Sequence, residues 1–182
     1  MYCYLIASLP DLQLDSAAPM TVEEFDEICR AELKEEKFAA LTAFDGTVTP
    51  EFRESETLAA LYNACGKFEL YLRNRIAKRR ADKAGEQLEL PDPPEYFGEY
   101  DFAATTLANT ADPAERELII DRLRWNFIEE QLLCKEFSFD ALCAYRLKLA
   151  IVNKYRNRLL EPGRKNFDAA LERLSRNNFR QE

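Results

Sequence analysis

Apolar residues recur along most of this chain at intervals of three and four, the spacing that brings side chains onto one face of an α-helix. Val22, Phe25, Ile28, Cys29 and Leu33 keep that spacing to about Glu36. Thr21 and Glu24 stand at the two positions of a capping box, Met20 stands where a hydrophobic staple onto Phe25 would start, and acids fill the first turns. A short helix is expected around 38–44, followed by a turn at Asp45-Gly46. From Ser55 to Ala84 the stripe Leu58, Leu61, Tyr62, Cys65, Phe68, Leu72 and Ile76 predicts one long helix, about 45 Å at 1.5 Å per residue.

Residues 85–111 read as a connecting segment. Pro91, Pro93 and Pro94 exclude regular helix through its first part, and Glu86, Glu89, Asp92, Glu95, Glu99 and Asp101 make it acidic enough to lie on the basic end of the preceding helix. Asp112, Pro113 and Glu115 then form a helix start, with Leu118, Ile119, Leu123, Phe127, Gln131 and Cys134 along one face and Trp125, Ile128 and Leu132 widening it. Ser138 is placed to cap a further helix whose seam is Leu142, Tyr145, Leu149, Val152 and Leu159. Pro162-Gly163 ends it, and a last short helix is expected over 165–176 before a frayed tail at 177–182. Residues 2–9 are extended or early helical and are the one candidate for a strand. The expected fold is all-α: a single domain over 1–182, built as an elongated helical bundle with two or three long helices and a proline-rich acidic connection.

Composition narrows the chemistry. None of the 182 residues is histidine, which removes histidine-based nucleophile activation and the common zinc and di-iron ligand sets. The five cysteines are scattered with no CxxC pair, as expected of reduced, packed thiols. No segment has the roughly 20 consecutive apolar residues of a membrane helix, and the start lacks the basic region of a signal peptide. The net charge of −8 argues against general nucleic-acid binding. Charge is nevertheless segregated: residues 146–182 hold ten basic and four acidic side chains, so the first 145 carry a net −14. Residues 67–83 are also locally basic. The candidate protein-contact residues are therefore Arg73, Arg79, Arg80, Lys154, Arg156, Arg158, Arg164 and Lys165.

Short motifs carry little. Phe44-Asp45-Gly46-Thr47 matches the end of the phosphatase loop DxDGT, but Ala43 occupies the nucleophile position, so a plain turn is expected. Gly66-Lys67 lacks the earlier glycine of a phosphate loop, and Pro93-Pro94-Glu95-Tyr96 is a four-residue match to a WW-domain ligand. Adjacent Glu129 and Glu130 point apart on a helix and read as solvated. No catalytic residue, metal site, cofactor or small-molecule pocket is expected.

Tyr2-Cys3-Tyr4-Leu5-Ile6-Ala7-Ser8-Leu9-Pro10-Asp11-Leu12, followed by Thr21-Val22-Glu23-Glu24-Phe25 and Cys29, resembles a bacterial family of uncharacterised proteins encoded among the subunits of V-type ATPases. That resemblance implies a non-catalytic stalk or collar component, or an assembly factor, similar to the helical socket that joins the rotor shaft of such an ATPase to its membrane ring. It implies protein subunits as partners and a cytoplasmic place, peripheral at the inner face of the membrane. The alternative is a stand-alone cytoplasmic adaptor whose basic C-terminal region binds an acidic protein.

Overall fold

The computed structural model describes residues 2–14, 16–90 and 95–158, with side chains to Lys154. Those residues form an all-α structure: α1 (Cys3–Ser8), α2 (Val22–Glu32), α3 (Glu35–Thr42), α4 (Ala60–Ala84), a 3-10 turn (Gly98–Tyr100), α5 (Asp101–Asn109), α6 (Pro113–Gln131) and α7 (Phe139–Arg158). The opening segment is helical, not a strand. Leu5 is buried there and Tyr2 packs its ring on Phe139.

The capping box at Thr21 forms in both directions: the Glu24 amide donates to the threonine hydroxyl at 3.1 Å, and the Thr21 amide to the Glu24 carboxylate at 2.7 Å. The helix it starts ends at Glu32, not near Glu36, because Leu33 and Lys34 are extended. On one continuous helix, Phe38 and Leu41 would lie on the face opposite Phe25 and Cys29. Breaking the helix lets all four enter the same core.

α4 starts five residues later than the stripe predicts. The Ser55 backbone is folded back onto the Asn63 carboxamide, which accepts from its N–H at 3.0 Å and donates to its C=O at 2.8 Å. Over Leu61–Leu72 this helix is buried nearly all round, Leu70 and Tyr71 included, since α5, α6 and α7 pack against it. Gly66 lies mid-helix because the Phe52 ring occupies the space a Cβ would take. Gly85 ends α4 in the left-handed conformation, φ +74°.

Part of the expected connection, Asp101–Asn109, is α5. Two of its acids lie on basic α4: Lys67 pairs with Glu95 at 2.9 Å, and Arg75 holds both oxygens of Asp101. Phe97 and Tyr100 set their edges against Phe68, which stacks flat on Phe127 with centroids 4.2 Å apart. This aromatic group joins α4, the 3-10 turn and α6.

Asp112 caps α6 through the Ala114 amide at 2.9 Å. Leu118 is on the exposed side of α6, 46% accessible, while Asp121 replaces it in the interior at 0%. Ser138 does not cap α7; its hydroxyl donates to the Lys135 carbonyl at 2.8 Å. On α7, Leu142, Leu149 and Val152 are buried as the seam predicts. Arg146 ties this helix to α2 and to the end of α3, through Asp26 at 2.9 and 3.0 Å and the Phe44 carbonyl at 3.0 Å. Leu159, the ending at Pro162-Gly163, the helix over 165–176 and the tail lie outside the described residues.

Candidate functional site

Three helices meet around an ion cluster that apolar stripes alone do not require. Glu69 of α4 receives Arg124 of α6 on both carboxylate oxygens, with Nε to Oε2 at 2.9 Å. Arg124 also reaches Asp121, one turn earlier, at 3.1 Å, and Lys154 of α7 reaches the same Asp121 oxygen at 2.9 Å. Burial alone would lower the Arg124 pKa; its hydrogen bonds to Glu69 and the charges of Glu69 and Asp121 outweigh it and leave the guanidinium more firmly protonated. Removing charges from water costs several kcal/mol per ion, and good geometry with shared hydrogen bonds is what offsets that cost here.

Beside this cluster is an apolar cavity of about 140 Å³, open to the surface, with Phe44, Phe68, Phe127, Ile128, Leu147 and Ile151 in its wall. The polar part of its lining is Asp45, Thr47, Glu69, Arg124 and Lys154. No such pocket is expected from the sequence, because helical spacing says which side chains face inward and not how completely they fill the space. Asp45-Gly46-Thr47 is the plain turn: Asp45 Oδ1 accepts from the Thr47 amide at 2.8 Å and hydroxyl at 2.6 Å, and Gly46 takes φ +89°. Those Thr47 bonds, the hydroxyl foremost, hold the Asp45 carboxyl below its ordinary range. Cys65 also lines the cavity, and burial pushes its thiol up to about 12, so it is neutral.

A shallower groove of about 420 Å³ continues from the cavity across the Glu69–Arg124 pair. Leu72, Ile76 and Ala77 of α4 and Ile120 of α6 supply its apolar surface, and Arg73 and Arg80 add positive charge.

The structure thus separates the contact residues expected from sequence. Arg73 and Arg80 share the groove, and Arg73 also donates to the Val48 carbonyl. Arg79 lies on a neighbouring face with Arg75, Lys78 and Asp82. Lys154 belongs to the cavity and the ion cluster. Arg156 and Arg158 lie in the last turn of α7, where the backbone alone is described; Arg164 and Lys165 are outside the described residues. Glu129 is engaged by Trp125 at 2.8 Å and Lys148 at 2.9 Å, and Glu130 accepts from Tyr100 at 2.9 Å. Among the described residues no group of three or more Cys, Asp or Glu is placed to hold a metal ion, and no helix is long and apolar enough to cross a membrane.

Glu69, Asp121 and Arg124 do not stand out in the sequence, although a signal exists. Glu69 falls in the series Tyr62, Cys65, Leu72, Ile76 at helical spacing, and Asp121 precedes buried Trp125 and Ile128 by four and seven. An acid inside a buried stripe implies a buried cation to meet it.

No curated protein and no solved structure matches the chain. Residues 62–178 match a family described as a protein of unknown function, DUF2764. The matched stretch contains Glu69, Asp121, Arg124 and Lys154, so the ion cluster lies wholly within it. The chain belongs to the DUF2764 family.

Proposed function

We propose that this protein is a non-catalytic, protein-binding component, and that the groove between α4 and α6 receives an acidic segment of its partner. The observation that carries this reading is the pairing of an apolar floor, Leu72, Ile76, Ala77 and Ile120, with the guanidinium groups of Arg73 and Arg80. Apolar contact supplies affinity, while complementary charge sets orientation and speeds encounter. The resemblance of residues 2–12 and 21–29 to proteins encoded with V-type ATPase subunits supplies the partner class: the stalk or collar of such an ATPase, at the cytoplasmic face of the membrane.

The experiment is to tag the protein at its C-terminus in its native host, solubilise membranes mildly, and identify co-purifying proteins by mass spectrometry. Recovery of ATPase head and ring subunits in constant ratio, reduced in Arg80→Glu, is the expected result. Recovery of the protein alone while the ATPase stays intact overturns the stalk assignment and leaves a stand-alone adaptor. Unchanged recovery with Arg80→Glu overturns the groove.

A further inference from the structure

The cavity beneath the Gly46 turn is chemically unlike the groove. Its lining is largely aromatic and branched aliphatic, and it also includes two acids, Asp45 and Glu69, and two bases, Arg124 and Lys154. A volume of about 140 Å³ is close to the roughly 150 Å³ of an engineered apolar cavity that takes up benzene. Polar groups converging at the opening of an apolar pocket mark a small-molecule site.

Charge balance selects the ligand class. A simple anion faces Asp45 and Glu69 as well as the two cations, with Asp121 behind both of them; a simple cation faces Arg124 and Lys154. A zwitterion meets each sign with its opposite. Donor capacity points the same way: Arg124 and Lys154 carry eight N–H groups, and Glu69 and Asp121 take four of them. Asp45 lies on the turn side of the opening, ionised and held by Thr47.

We propose that this cavity binds a free α-amino acid with an aromatic or branched apolar side chain. The side chain lies between Phe44, Phe68 and Ile128, the carboxylate meets Lys154 and Arg124, and the ammonium faces Asp45. The cavity adjoins the groove and shares Gly46, Thr47, Glu69 and Arg124 with it, whereas Asp45 lines the cavity alone and Arg80 the groove alone, so variants at those two positions tell ligand binding from partner binding.

The test is calorimetric titration of the full chain with L-phenylalanine, 3-phenylpropionate and phenethylamine. The expected result is saturable one-to-one binding of phenylalanine, with each half-ligand weaker by about tenfold or more for the loss of a charged hydrogen-bonded contact. Asp45→Asn keeps an oxygen for the Thr47 amide and should bring phenylalanine down to the level of 3-phenylpropionate. Ala150→Phe, which fills the cavity from α7, should abolish binding, and Arg80→Glu should leave it unchanged. Should Ala150→Phe fail to fold by circular dichroism, Asp45→Asn decides. Equal binding of the three compounds, no saturation with phenylalanine, or wild-type discrimination in Asp45→Asn overturns the proposal.

Discussion

Glu69 and Arg124, 55 residues apart in the chain, join α4 to α6 through a two-point ion pair whose acid is 10% and whose base is 27% exposed at the side chain. Arg124 is also the bond between Glu69 and Asp121. Its loss would leave the buried Glu69 carboxylate without this cation, while Asp121 keeps Lys154. Arg124→Met should therefore lower unfolding free energy by about 3 kcal/mol, the range for breaking a buried pair from one side. Glu69→Met with Arg124→Met should cost less than Arg124→Met alone, since no lone charge remains at position 69. Urea unfolding of the three variants measures this, and equal losses would refute it.

Asp101 sets an acid limit. The Arg75 hydrogen bonds, with help from Tyr71 and Tyr96, bring its carboxyl down from the ordinary 3.8 to about 2. A folded value below the unfolded one contributes stability above about pH 4, and that contribution fades as pH falls through about 2. Acid titration followed by circular dichroism should show a stability loss in this window that Asp101→Asn removes.

Thiol labelling should split the five cysteines. Cys3 and Cys134 are exposed, whereas Cys29, Cys65 and Cys143 are buried with thiols pushed up to about 12, chiefly by loss of hydration. An aromatic disulfide reagent at pH 8 should modify two thiols quickly and the other three at the rate of global unfolding. Rapid modification of a third would contradict the packing.

Gly66 and Phe52 should show strong coupling. A Cβ at Gly66 would overlap the Phe52 ring, so Gly66→Ala forces that ring off α4 and should destabilise by about 1–3 kcal/mol. With Phe52→Ala already present, the same change should stabilise by up to about 1 kcal/mol through helix propensity. A double-mutant cycle in urea reads the change of sign.

Local chemistry is the most legible part of this sequence. Thr21, Asp112 and Gly85 act at helix ends because their effects need only neighbouring backbone groups. The break at Leu33 is not legible: nothing local forbids helix there, and its cause is the need for Phe38 to join Phe25 in one core. At the candidate site, Arg73, Arg80 and Lys154 stand out as basic residues, yet their separation into groove and cavity depends on how α4, α6 and α7 cross. Glu69 and Asp121 are hidden because a stripe is read by its apolar members, and the acid within it passes as a solvated residue.

The stacked rings of Phe68 and Phe127, closed by Phe97 and Tyr100, have a consequence for the covalent chain. Residues 86–90, which follow α4, lie outside that clasp, and Leu88 and Leu90 are 42% and 36% exposed. The residues on either side of this stretch are fastened to one another by side chains: aromatic rings, Arg75 to Asp101, Glu69 to Arg124, and Asp26 to Arg146. The polypeptide is in effect a heterodimer of two halves written as one gene product. Expressed as separate fragments divided near Leu88, they would find each other and rebuild the same interior.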